Sequence, residues 1–121
     1  MSSSSPLPSR LCAISQLHSL FTGDKVRFLG CVNQYHEPTA SLFVFHDFPS
    51  KGHHTAQVDI SQLLDTIDRQ NLQIGAWLNI IGYITPPSSR SGSKVQAITV
   101  WSAGAINVQQ YESALVLRQT T

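Results

Sequence analysis

The stretch that most limits what this chain can fold into is Asp24–His36, reading Asp-Lys-Val-Arg-Phe-Leu-Gly-Cys-Val-Asn-Gln-Tyr-His. It is a long run of strand-forming residues with a single glycine, Gly30, in its middle. Successive side chains of a strand point to opposite faces. Val26, Phe28 and Val32 therefore share an apolar face, while Lys25, Arg27, Asn33 and Tyr35 share a partly basic one. A glycine inside a strand marks a bulge or a sharp coil, the device by which one long strand serves both halves of a small barrel. The remaining elements are expected to wrap around this strand.

At 121 residues there is room for one domain with a modest core. Residues 1–9 are Ser- and Pro-rich and read as a disordered tail, which leaves 10–121 as the folded unit. Charged residues make up only 12% of the chain, about half the usual share, so part of the surface is expected to be covered by a partner. The net charge of +1 excludes a global basic field that would drive non-specific binding to nucleic acid; such binding would need a local patch. Cys12 and Cys31 lie among apolar residues with no short-spaced pair, which points to reduced, buried thiols rather than a zinc site or a disulfide framework. The first residues lack the apolar core of a secretory signal, and no run approaches the ~20 apolar residues of a membrane span, so a soluble intracellular protein is expected.

Leu11, Ile14, Leu17 and Leu20 recur every third residue, a spacing compatible with a helical turn or with a short strand and turn; an irregular lead-in packed on the barrel is expected. Thr22-Gly23-Asp24 is a turn signal and Glu37-Pro38-Thr39 a second one, returning the chain as a hairpin. Ser41–His46 is apolar on both faces, with Phe43 and Phe45 alternating against Leu42 and Val44, as in a strand that is buried or covered. In Thr55–Ile60, Ala56, Val58 and Ile60 face inward. The period then changes: Ile60, Leu63, Leu64 and Ile67 predict an amphipathic helix that Asp59 or Ser61 caps, ending near Asn71. Trp77–Thr85 and Val95–Trp101 return to strand, the latter with Val95, Ala97 and Thr99 on one side, separated by the Pro86–Ser93 loop. A last helix starts at the N-cap Asn107 and carries Val108, Tyr111, Ala114, Leu115 and Arg118 along one stripe.

Three strands, a helix, two strands and a terminal helix is the element order of an all-β, five-stranded Greek-key OB-fold barrel, with a helix between its third and fourth strands and another at its C-terminus.

Little here resembles catalytic machinery. The five histidines are scattered or adjacent in a loop and read as surface residues rather than metal ligands. The carboxylates are dispersed, and no phosphate loop, nucleophile elbow or metalloprotease helix is present. Neither an enzyme, a metal nor another cofactor is expected. Lys25, Arg27 and Tyr35 on one strand face, with Arg90 and Lys94 in and beside the 86–93 loop, form a candidate single-strand nucleic-acid surface, because rings stack on bases and cations meet phosphates. Solubilising charges beside core aromatics are the competing reading. The terminal helix has apolar residues at Val108, Tyr111, Ala114, Leu115, Val116 and Leu117, more than one packing face requires, which favours cover by a partner protein over purely internal packing.

Val26-Arg27-Phe28-Leu29-Gly30-Cys31-Val32, Trp77-Leu78-Asn79-Ile80-Ile81-Gly82-Tyr83 and Val95–Gly104 leading into the last helix, in this order and spacing, resemble the fungal Ten-one family, the smallest subunit of the telomere-capping CST complex. The resemblance spans about Ser9 to Leu117. It implies a non-catalytic OB-fold subunit that pairs with a Stn-one partner, alongside a third CST subunit, on single-stranded telomeric DNA in the nucleus, at the telomeric region of the chromosome. It also implies that C-terminal helices pack on each other, which here falls on Ile106, Val108, Tyr111, Ala114 and Leu115, and that Arg27 contributes to nucleic-acid contact. The small subunit of a replication protein A-like complex and a stand-alone single-strand binder are the alternatives.

Overall fold

The long strand near the N-terminus is divided between two partners. In a computed structural model, which describes residues 8–49, 52, 54–87 and 92–119, β2 spans Lys25–His36. Its first half, Lys25–Cys31, pairs antiparallel with β5 (Trp77–Thr85), and its second half, Cys31–His36, pairs antiparallel with β3 (Ser41–Phe45). Gly30 sits at the handover. A Cβ there would stand 2.8 Å from both Cβ and Cγ2 of Val44, a fully buried core residue. Only a residue without a side chain lets β2 and β3 approach this closely inside the barrel.

β3 pairs antiparallel with β4 (Thr55–Asp59), β4 pairs parallel with β6 (Ser93–Ser102), and β6 returns antiparallel to β5, which closes the ring on β2. This is the OB-fold barrel. Inside it, Val26, Phe28, Val32, Leu42, Val44, Val58, Ile60, Leu78, Ile80, Val95 and Ala97 are all fully buried. The two-residue β1 (Arg10–Leu11) adds a sixth strand, parallel to β2. It runs into a 3-10 helix at Ile14–Ser19 whose Ile14 and Leu17 are buried. A 3-10 helix has three residues per turn, so the every-third-residue apolar spacing of 11–20 is its own signature. The lead-in is thus more regular than expected.

The predicted amphipathic helix after β4 is corrected. The segment forms two 3-10 turns, Ser61–Leu63 and Arg69–Leu72, with no α-helix between them. Polar side chains supply backbone partners locally: Asp59 Oδ1 accepts from the Ser61 N–H (2.8 Å), Asp68 Oδ1 from the Gln70 N–H (3.0 Å), and the Thr66 hydroxyl donates to the Leu63 carbonyl (3.3 Å). Such bonds compete with the helical ladder. Leu63 and Ile67 still pack against the core, whereas Leu64 is half exposed.

The C-terminal helix, α1, spans Val108–Gln119. Asn107 caps it as expected, its Oδ1 accepting from the Gln110 N–H at 2.9 Å. The predicted tail at 1–9 falls largely outside the described residues.

Candidate functional site

Two bulges decide which side chains face outward. The β2–β3 register shifts between Val32 and Gln34, and the β5–β6 register between Ile81 and Gly82. An extra residue in one strand reverses the side-chain alternation beyond it. Tyr35 therefore pairs with the buried Leu42 and packs against the core, and it does not share the face of Lys25 and Arg27, as unbroken alternation predicts. It lines a groove of about 590 Å³ with Leu64, Ile67 and Leu72, whose lining also includes Glu37 and Arg69. In β6 the same effect leaves Thr99 exposed and puts Val100 against the core, opposite to the predicted side.

The barrel's outer surface has a covered part and an open part. The covered part lies under α1. Leu115 is 1% exposed and clusters with Ala13 and Phe48, with Leu11 and Tyr111 packed alongside. His46 lies within this layer, stacked on Phe48 (5.6 Å between centroids) and edge-on to Trp77 (5.7 Å). Its Nε2 is 2.7 Å from Glu112 Oε2, which ties α1 to the end of β3. His46 is buried, not the surface histidine expected from sequence; two residues 66 positions apart give no local signal of meeting. Burial pushes the Tyr111 phenol above its ordinary value, with Arg27 opposing and Cys12 adding to the shift. Burial likewise raises the Cys12 thiol to about 11, with Arg10 opposing, and raises the Cys31 thiol. Both thiols are buried and free.

The helix face that docks is Val108, Tyr111, Glu112 and Leu115, at i, i+3, i+4 and i+7, all half-buried or buried. This docking divides the set expected to face a partner. Tyr111 and Leu115 are already occupied by the chain's own barrel, and Ile106 and Val108 are half-buried at the helix entry. Of the predicted set only Ala114 is exposed; it lies beside Val116 (46% exposed) and Leu117 (68%).

The open part runs over β3, β4 and β6. Phe43 and Phe45 alternate with the buried Leu42 and Val44, so both rings stand on the outside, half exposed. Gln57 is the register neighbour of Phe43 on β4 and of Lys94 on β6, and Lys94 in turn neighbours Thr85 on β5. One outward row thus carries Phe43, Gln57, Lys94 and Thr85. A parallel row carries Lys25, Tyr83, Gln96 and Asp59. Lys25 and Lys94 are therefore brought onto neighbouring rows. Arg27 stands one row further along the same side of β2, paired with Ile81, and its guanidinium lies over the Trp101 ring, 5.2 Å from the centroid. Arg90 lies outside the described residues. Phe43 and Phe45 were visible in the sequence as a strand apolar on both faces but were not assigned to a site. Among the described residues no group of His, Cys, Asp or Glu is placed to hold a metal ion, and no helix is long and apolar enough to cross a membrane.

A barrel of this topology with a capped C-terminal helix laid across one side defines a protein of the OB-fold class. The comparisons give the family. The sequence model of the Ten1 (Ten-one) family, described as telomere capping, CST complex subunit, matches residues 1–116. The chain belongs to the Ten1 family. It is 28% identical over 111 residues to protein ten1 of Schizosaccharomyces pombe, covering 92% of this chain and 94% of that one. It is similar to a chain in the crystal structure of the S. pombe Stn1–Ten1 complex, with a TM-score of 0.75, 26% identity and 96% of each chain covered. Replication protein A of U. maydis, solved bound to single-stranded DNA, shares the fold, with a TM-score of 0.65, 16% identity and 93% and 91% of the two chains covered.

Proposed function

We propose that this chain is the non-catalytic Ten1 subunit of a nuclear telomere-capping complex, paired with a Stn1-type OB-fold protein and supporting its grip on single-stranded telomeric DNA. The observation that carries the pairing is the apolar surface α1 keeps exposed after docking on its own barrel. Tyr111 and Leu115 fasten the helix, while Leu117 is exposed on its back and Ala114 and Val116 at its two edges. A docked helix presents these side chains with its backbone already ordered, which lowers the entropic cost of association. The pairing seen in the S. pombe Stn1–Ten1 complex, matched over nearly the full chain, supports the same partner here.

DNA contact is assigned to the open face, with Phe43 and Phe45 as the stacking rings and Lys94 and Lys25 as the cations. The strand 2–3 face of an OB-fold is the usual oligonucleotide surface, and in this barrel those strands are β3 and β4. At a net charge of +1 the isolated chain binds weakly, and the complex supplies the remaining affinity. Arg27, engaged over Trp101 beside α1, belongs to the border between the two surfaces. The Ten1 description of the family model favours this assembly over the replication protein A alternative, for which fold alone speaks.

The pairing is tested with Ala114→Arg combined with Leu117→Asp. Both positions are solvent-facing, so the barrel is expected to fold with an unchanged melting temperature. Co-purification with the Stn1-type partner should be lost, since charge forced into an apolar interface costs several kcal/mol. Retained co-purification would remove this face of α1 from the interface.

A further inference from the structure

One large aromatic is used by neither surface. Phe21 is 78% exposed, yet its backbone is tightly held. Its N–H donates to Asp24 Oδ2 at 2.9 Å, and its carbonyl accepts from the Asp24 N–H at 3.0 Å. Gly23, at φ +96°, completes the turn and donates its N–H to the Ile84 carbonyl at 2.8 Å, while the Ile84 N–H donates to the Asp24 carbonyl at 2.9 Å. The turn is thus stapled to the end of β5. A ring carried on so constrained a backbone has little conformational entropy left to lose when something stacks on it.

Single exposed aromatics are common, so exposure alone decides nothing. The surroundings decide. Next to Phe21 in the turn, Thr22 lines a cleft of about 230 Å³ together with Leu20, Ile84, Pro87, Thr85 and Lys94. Thr85 and Lys94 are the end of the outward row that begins at Phe43, so the cleft continues the open face. Lys25 follows the turn at the start of β2. The cleft residues include one cation, Lys94, the apolar Leu20, Ile84 and Pro87, and no carboxylate; the nearest acid of the turn, Asp24, has its Oδ2 taken up by the Phe21 N–H, and this lining suits a nucleobase with its phosphates. The larger groove beside Tyr35 carries both a cation, Arg69, and a carboxylate, Glu37, and offers no such bias.

We infer that Phe21 is a base-stacking post that extends the DNA path of β3, β4 and β6 past Lys94, to the end of β5. This rests on the DNA-contact reading of the open face. One unpaired base stacks on the Phe21 ring, beside the cleft that its chain neighbours Leu20 and Thr22 line, and Lys94 and Lys25 meet the flanking phosphates.

The test uses the full chain co-expressed with its Stn1-type partner and a fluorescein-labelled thymidine oligomer, read by fluorescence anisotropy across a salt series. Phe21→Ala should weaken binding roughly 5- to 100-fold, the range that removal of one stacked ring produces, and Phe21→Trp should retain it. The salt slope should stay constant for Phe21→Ala and fall by about 0.7 for Lys94→Ala, because only the lysine neutralises a phosphate. Since Phe21 is solvent-facing, the melting temperature should not move. If Phe43→Ala weakens binding and Phe21→Ala does not, the post is overturned and the open face stands. If neither ring matters, both fail. Loss of the partner rather than of the oligomer from Phe21→Ala would make the ring a protein contact and overturn the inference.

Discussion

The two outer faces of the barrel start from the same alternation and end differently. On one side, outward residues of β2 such as Leu29 and Cys31 are buried, and the lead-in, Phe48 and the terminal helix meet in a second buried cluster of Ala13, Phe48 and Leu115. On β3 the outward Phe43 and Phe45 are half-buried rather than buried. The strand pattern is equally apolar in both places. What differs is which connecting segments the topology carries over each face. An outward apolar residue thus becomes either a second core or a binding surface according to its neighbours from distant sequence.

The sharpest way to break this contrast is to remove the anchor of the covered side. Leu115→Ala deletes a side chain that is 1% exposed, and a loss of about 2–5 kcal/mol is expected in urea denaturation. The same variant should lose its partner, because a released α1 no longer presents Ala114 and Leu117. A loss under about 1 kcal/mol would mean that α1 is not firmly docked, and the two faces would be alike.

Alkaline pH should act on the same side with a smaller effect. Cys12 titrates near pH 9.0 when unfolded and at about 11 in the fold, and Tyr111 is also shifted upward by burial. A raised pKa in the fold means that the neutral form is favoured there. The corresponding stability is fully present below about pH 9 and is lost as pH rises toward 11. The expected loss is on the order of 1–2 kcal/mol across that window, read as a falling urea midpoint. Cys12→Ala should flatten the decline; a decline of unchanged steepness would place its cause elsewhere.

This pairing of faces also shows where sequence reasoning reached its limit. The barrel was legible because the core strands keep period two, as in Ala56–Val58–Ile60, and because Gly30 and Asn107 carry local signals with one physical meaning each. Reasoning failed wherever a distant contact or a one-residue insertion intervened. The bulges at Val32/Gln34 and Ile81/Gly82 reversed the sides of Tyr35 and Thr99; no residue type announces the first, and only Gly82 marks the second. The helix predicted over Ile60–Asn71 had the right apolar spacing, yet Asp59, Thr66 and Asp68 took the backbone bonds. On α1 the stripe is legible, but its contacts within the chain are not. Only the fold shows that Tyr111, Glu112 and Leu115 meet His46 and Phe48 before any partner arrives.

The smallest expected effect sharpens the contrast most. Phe43 matches Leu115 in being a large apolar side chain on the outside of the barrel, but it is half exposed. Its truncation to Ala removes only part of a ring's burial and some strand propensity, so a loss of about 1 kcal/mol or less is expected in urea denaturation. Single-strand binding by the assembled complex should nonetheless fall, because a stacking ring contributes about 1–3 kcal/mol per base. Little stability lost together with much binding lost is the pattern of a surface kept open for a ligand. A loss of stability as large as that of Leu115→Ala would instead make Phe43 part of a second core, and the open face would have to be sought elsewhere on the barrel.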